Sequence, residues 1–205
     1  MLVAEVPLLK VLHAEGPAAD RAAQMMLYGR FVGSWAGTLS YRDADEVRRE
    51  QSVDVHFGWV LEGRAVQDVW IAPSRAGNDA PAVMYGTTIR IYDPKRDLWE
   101  ITWFNPVSGA FNRMTGREIG ADIVQEYRSD DGGRCQWMFT EITPSSFPGS
   151  RASRPTRAAP GRSTSRCSCG ASSPDRPGPA AGVLAHLGEC RSWITRSRAR
   201  FAGSC

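Results

Sequence analysis

Cysteine is scarce where it would matter most. Of five in the chain, Cys167, Cys169, Cys190 and Cys205 lie beyond residue 147, which leaves Cys135 alone in the first 147 residues. A single cysteine excludes a disulfide scaffold and suits a reducing compartment, so a cytoplasmic protein is expected. Histidine is almost as rare, with three in the chain and only His56 inside the strand-patterned region. No His/Glu cluster of metal-ligand spacing can be assembled, and no Ser-His-Asp set follows from position alone. Cys167-Ser-Cys169 lacks a second pair at ligand spacing and makes a poor zinc signature. There is no Gly-rich phosphate loop and no βαβ alternation, which removes a dinucleotide fold; neither cofactor nor metal is expected. No apolar run is long enough to span a bilayer, so no membrane partner is expected. The opening MLVAEVPLLKVL carries Glu5 and no basic n-region, which is not the pattern of a secretory signal.

What is present is a succession of short β-type runs. WAGTLSYR, EQSVDVHFGWVL, RAVQDVWIA, AVMYGTTIRIYD, LWEITWFN, AFNRMTGREIG, DIVQEYRS and RCQWMFTEIT are rich in β-branched and aromatic residues. Turn chemistry separates them, in LEGR, DPKRD, PVSG and SDDGG. About eight strands joined in order by short loops make an antiparallel meander, and a long meander avoids raw edges by closing into a barrel. Ahead of them DRAAQMMLYGRF, residues 20 to 31, reads as one short helix, with Asp20 as N-cap and Gly33 just past its end. The expected fold is mainly β, an up-and-down barrel over residues 20–147 with one short helix, preceded by an extension over 1–19.

Alternation along each strand sorts side chains into faces. Arg64, Val66, Asp68 and Trp70 share one face; Thr88, Arg90 and Tyr92 another; Trp99, Ile101, Trp103 and Asn105 a third. Arg113, Thr115 and Arg117 go together, as do Ile123, Gln125 and Tyr127. Aromatics mixed with a few polar groups fit the lining of a small-molecule pocket, and equally the outer face of a barrel with salt-bridged rims. The set expected to hold a ligand is Trp70, Arg90, Trp103, Asn105, Asp68 and Arg117. Asp68 near Arg90 serves either as a general acid/base pair or as an ion pair bracing adjacent strands. His56 is a half-buried strand residue, or else a base or haem ligand in an enzyme that uses Arg90 to stabilise an anion.

The stretch RFVGSWAG, Arg30 to Gly37, following a short helix, resembles the opening of the calycin barrels. There a Gly-x-Trp motif, here Gly33-Ser34-Trp35, begins the first strand and its Trp plugs one end. The longer run FGWVLEGRAVQDVWIAP…YGTTIRIYDPKRDLWEITWFNP resembles a bacterial group of lipocalin-like domains of unknown function, over roughly residues 28 to 147. The resemblance implies a barrel with an internal cavity that binds a small, partly apolar ligand. It also implies an Arg from the last strand packed on Trp35.

Beyond Phe147 the pattern stops. Residues 148–205 hold ten Arg and no Lys against one Asp and one Glu, about +8, while the chain as a whole is +3. So little apolar content over 148–180 cannot offset ordering entropy, and a disordered tail is expected. The Arg-rich runs could touch nucleic acid through phosphates, although that partner is the weaker expectation. A shifted reading frame explains the break better. Reading one wobble base plus the next two converts Ala152 to Gly161 into residue classes that fit a hairpin entering a strand. From Ser163 an alternating run follows. On this reading the barrel lacks its closing strands, and LGECRSWITR is the segment best suited to patch the gap.

Overall fold

The structure, a computed structural model, describes residues 6–42, 45, 47–76, 79–129, 132–154 and 164–171, with 151–154 and 164–171 described as backbone. The eight alternating runs form eight strands: β2 (Gly33–Arg42), β3 (Arg48–Val60), β4 (Ala65–Ala72), β5 (Met84–Asp93), β6 (Leu98–Asn105), β7 (Ala110–Ile119), β8 (Asp122–Arg128) and β9 (Arg134–Phe139). A short β1 (His13–Ala14) precedes them. From β2 to β9 each strand pairs antiparallel with the next, and no helix occurs among the described residues between 33 and 154.

The sheet does not stop at Phe147. β10 (Ser146–Arg154) pairs with β9, and β11 (Thr164–Ala171) pairs with β10 on one side and β2 on the other. Phe147 lies opposite Cys169, and Cys167 opposite Leu39. Strands β2 to β11 therefore form a closed ring, and β1 extends the end of β3 at Val60. These two strands carry the sheet past the expected boundary at residue 147 and pair the edges of β9 and β2. The reason is that a ladder is made by backbone groups, which SFPGSRASR and TSRCSCGA supply with Phe147 as their only aromatic side chain. Open edges on β9 and β2 would otherwise leave N–H and C=O groups unpaired. LGECRSWITR and the rest of 172–205 lie outside the described residues, as do 155–163.

The expected helix over 20–31 is shorter and starts differently. A 3-10 turn (Ala19–Arg21) leads into α2 (Ala22–Gly29), which has no side-chain N-cap bond. Asp20 instead accepts hydrogen bonds from Arg21 Nη2 and Arg64 Nη1, each at 3.0 Å, and these hold its carboxyl down to about 2. The extension adds α1 (Pro7–Leu12), a single turn and a half with no buried residue.

α2 seals one end of the barrel. Tyr28 and Phe31 enter the interior from it, fully buried. Phe31 packs against Phe147, Phe139 and Phe57, with ring centroids 4.8, 5.1 and 5.4 Å away. Trp35 meets Phe147 edge-on at 4.8 Å and donates its indole N–H to the Phe31 carbonyl at 2.6 Å. Each of these rings is worth about 2 kcal/mol of burial, and the edge-to-face contacts add to it. Trp35 thus closes the barrel end as the Gly-x-Trp motif implies; its described neighbour is Phe147 of β10.

Candidate ligand-binding site

The opposite end of the barrel is dressed differently. Tyr41, Met84, Trp103, Tyr127 and Trp137 face inward from β2, β5, β6, β8 and β9, and remain only half-buried. The up-and-down order brings all five to one end, the end that α2 does not cover. Trp103 owes its place to Gly86: a side chain there would collide with the indole, which lies across the β5 backbone.

At the floor of this collar Trp137 of β9 meets Trp70 of β4 edge-on at 5.9 Å. Their strands stand five places apart in the ring, so the contact crosses the interior. Asp68 is the next inward residue on β4, and Gln125 lies directly opposite Trp137 in the β8–β9 register. The two tryptophans therefore separate the half-open collar from a buried polar cluster.

That cluster is built around Arg90, whose side chain is 2% exposed and whose partner Asp68 is wholly buried. Arg90 Nη1 stands 2.7 Å from Asp68 Oδ2. This is an ion-pair distance, yet the approach is not aligned as an N–H···O bond, and neither atom has a hydrogen-bond partner. Asp68 Oδ1 accepts the Thr88 backbone N–H at 2.8 Å. The guanidinium lies over the rings of Tyr28, Phe57 and Phe139, at 4.9, 5.4 and 5.9 Å, where the ring faces favour a cation. Tyr28 Oη is buried against Gly116, and a Cβ on Gly116 would strike it. Burial pushes the Tyr28 hydroxyl well above its ordinary pKa, so it stays protonated as a donor. Tyr28 Oη, Arg90 Nε and Gln125 Oε1 are buried without partners. Unpaired buried groups of this kind cost about 1–3 kcal/mol each.

Of the residues expected to line a pocket, Trp70, Asp68 and Arg90 are brought together inside, with Trp103 at the collar. Asn105 is also buried, but its Oδ1 is engaged at the β6–β7 turn by the N–H of Val107 (3.2 Å) and Tyr85 (3.4 Å). Arg117 is a correction: it is exposed on the outer face and pairs with Glu126 at 3.3 Å. On β7 the inward positions belong to Met114 and Gly116, so the arginine parity points outward. His56 is exposed too, its Nδ1 2.9 Å from Ser34 Oγ, on the opposite face of β3 from Phe57. It cannot share a site with Asp68 and Arg90. Sequence reasoning missed Tyr28, Gly116 and Tyr41, because a helix residue and a strand without polar–aromatic mixing gave no pocket signal. It also missed an open groove of about 600 Å³ on the outer face, lined by Gln67, Val69, Tyr85, Gly86, Thr87, Pro106 and Val107. Among the described residues no group of three or more His, Cys, Asp or Glu could hold a metal ion. No helix there is long and apolar enough to cross a membrane.

A closed antiparallel ring with a helix plugging one end decides the architecture. The fold is a calycin-like barrel. Among solved structures it is similar to Rv2717c from M. tuberculosis, at 14% identity and a TM-score of 0.53, covering 74% of this chain and 99% of that one. A second similar structure is the S-type phycobiliprotein lyase CPES from Guillardia theta, at 15% identity and a TM-score of 0.47, covering 74% of this chain and 93% of that one. No protein-family model and no curated protein sequence matches the chain. The calycin-like barrel thus rests on architecture, and its chemistry on the residues described above.

Proposed function

We propose that the barrel binds a small, largely apolar ligand at the end away from α2, between Trp103, Met84, Tyr127 and the Trp70–Trp137 pair. The observation that carries this reading is the asymmetry of the two ends. One is packed shut by Tyr28, Phe31 and Trp35, while the other presents half-buried aromatics above a polar cluster with unmet hydrogen bonds. Apolar walls with a few convergent polar groups are the usual make-up of a small-molecule site. An enzyme on the same barrel has less support, since Asp68 is committed to Arg90 and Thr88, and His56 lies outside.

Titration with Nile red, a neutral apolar dye, tests the site. Trp103→Ala should weaken binding by about tenfold, the loss of one aromatic wall. Tyr85→Glu, in the outer groove, should leave it unchanged; the opposite result would move the site outside the barrel.

We also read residues 148–205 as text from a frame shifted near Phe147. The support is positional. The alternating run that the shifted classes spell from Ser163 falls where β11 runs, and TSRCSCGA has little apolar character for a strand that closes a barrel. Resequencing the gene around the codon for Phe147 tests this directly; an unchanged frame would refute it.

A further inference from the structure

The buried cluster says what kind of head group a ligand should carry. Among the described residues Asp68 and Arg90 are the only charged ones that are buried, and they neutralise each other. A carboxylate brought beside Arg90 would also stand beside Asp68, and an ammonium beside Asp68 would stand beside Arg90. Either would add a third, uncompensated charge to a low-dielectric interior, where burial of a lone charge is prohibitive. What the cluster leaves unmet is of both kinds. Arg90 Nε and Tyr28 Oη have hydrogens to give, and Gln125 Oε1 and Asp68 Oδ2 have lone pairs to offer. Tyr28 Oη and Ile101 Cδ1 fill the space over Gly116, and Gln125 Cγ lies 3.6 Å from the same point, so Tyr28 and Gln125 are neighbours there.

Building on the interior-ligand reading above, we propose that the barrel selects a ligand whose buried end is uncharged and both donates and accepts hydrogen bonds, such as a primary carboxamide, rather than a carboxylate or an amine. The head group passes between Trp70 and Trp137, whose single edge contact is the barrier between collar and cluster. Its N–H groups meet Gln125 Oε1 and Asp68 Oδ2, and its carbonyl meets Arg90 Nε or Tyr28 Oη.

Calorimetric titration of the full chain with octanamide, octanoate and octylammonium at neutral pH decides the matter, since the tails are identical. The amide should bind about tenfold more tightly than either ion, because each unmade hydrogen bond to a buried group is costly. Asp68→Asn should reverse the order of amide and octanoate by exposing the Arg90 charge. Gln125→Met, which keeps the shape and removes the acceptor, should cut the amide preference to about threefold or less while leaving octanoate binding unchanged, and it stands in if Asp68→Asn does not fold. If none of the three ligands binds, the interior-ligand reading itself falls and takes this one with it. If they bind equally, or octanoate binds best to the unmodified chain, only the head-group assignment is overturned.

Discussion

At the scale of single residues the molecule depends on a few positions where chemistry and space are both tight. Removing one member of the Asp68–Arg90 pair strands the other in the interior. Arg90→Met should therefore lower stability by about 3–5 kcal/mol in urea denaturation, and Asp68→Asn combined with Arg90→Met should recover much of that loss. Gly116→Ala places a methyl group where Tyr28 Oη lies and should cost about 1–3 kcal/mol by the same measurement. Asp20 gives a pH signature. Its carboxyl is held at about 2 against an ordinary 3.8, mainly by Arg21 and then Arg64. A depressed acid stabilises the fold while ionised, so this contribution is complete above 3.8 and disappears as the pH falls toward 2. Thermal melts should show the native chain losing more stability across that window than Asp20→Asn does. The faces of Trp70, Arg90 and Trp103 were legible from alternation, because a strand allows only two choices. Arg117 was misread for the same reason: in NRMTGREI the polar residues looked like lining, and nothing in a bare Gly116 announces that the interior wants it.

At the scale of elements, eight strands could be read because each carries its own aromatic and β-branched signal and its own turn. The last two could not. β10 and β11 hold their places through register with β9 and β2, a long-range constraint that composition does not record. The helix was half legible: MMLY gave its periodicity, but Asp20 found two arginines, one of them forty-four residues away, more attractive than capping. Truncation after Phe147 removes nearly all of β10 and the whole of β11, and with them the three ladders β9–β10, β10–β11 and β11–β2 that close the ring. That shortened chain should unfold at a lower urea concentration than the full chain and with a broader transition. Equal midpoints would mean that the closing strands contribute nothing, and that the ring stands open in solution.

At the scale of the whole molecule, a meander of this length has few ways to protect its edges, which is why the barrel was foreseeable while its occupant was not. Ligand chemistry depends on which side chains meet across the interior, and Trp70 and Trp137 are sixty-seven positions apart in the sequence. Their encounter also makes the protein its own instrument. Two indoles at close range with planes 88° apart meet across the interior, so their electronic transitions should couple and give a paired positive and negative band in circular dichroism. Anything that slips between the rings would collapse that pair of bands, reporting occupancy without a dye, a label or a guess at the ligand's identity.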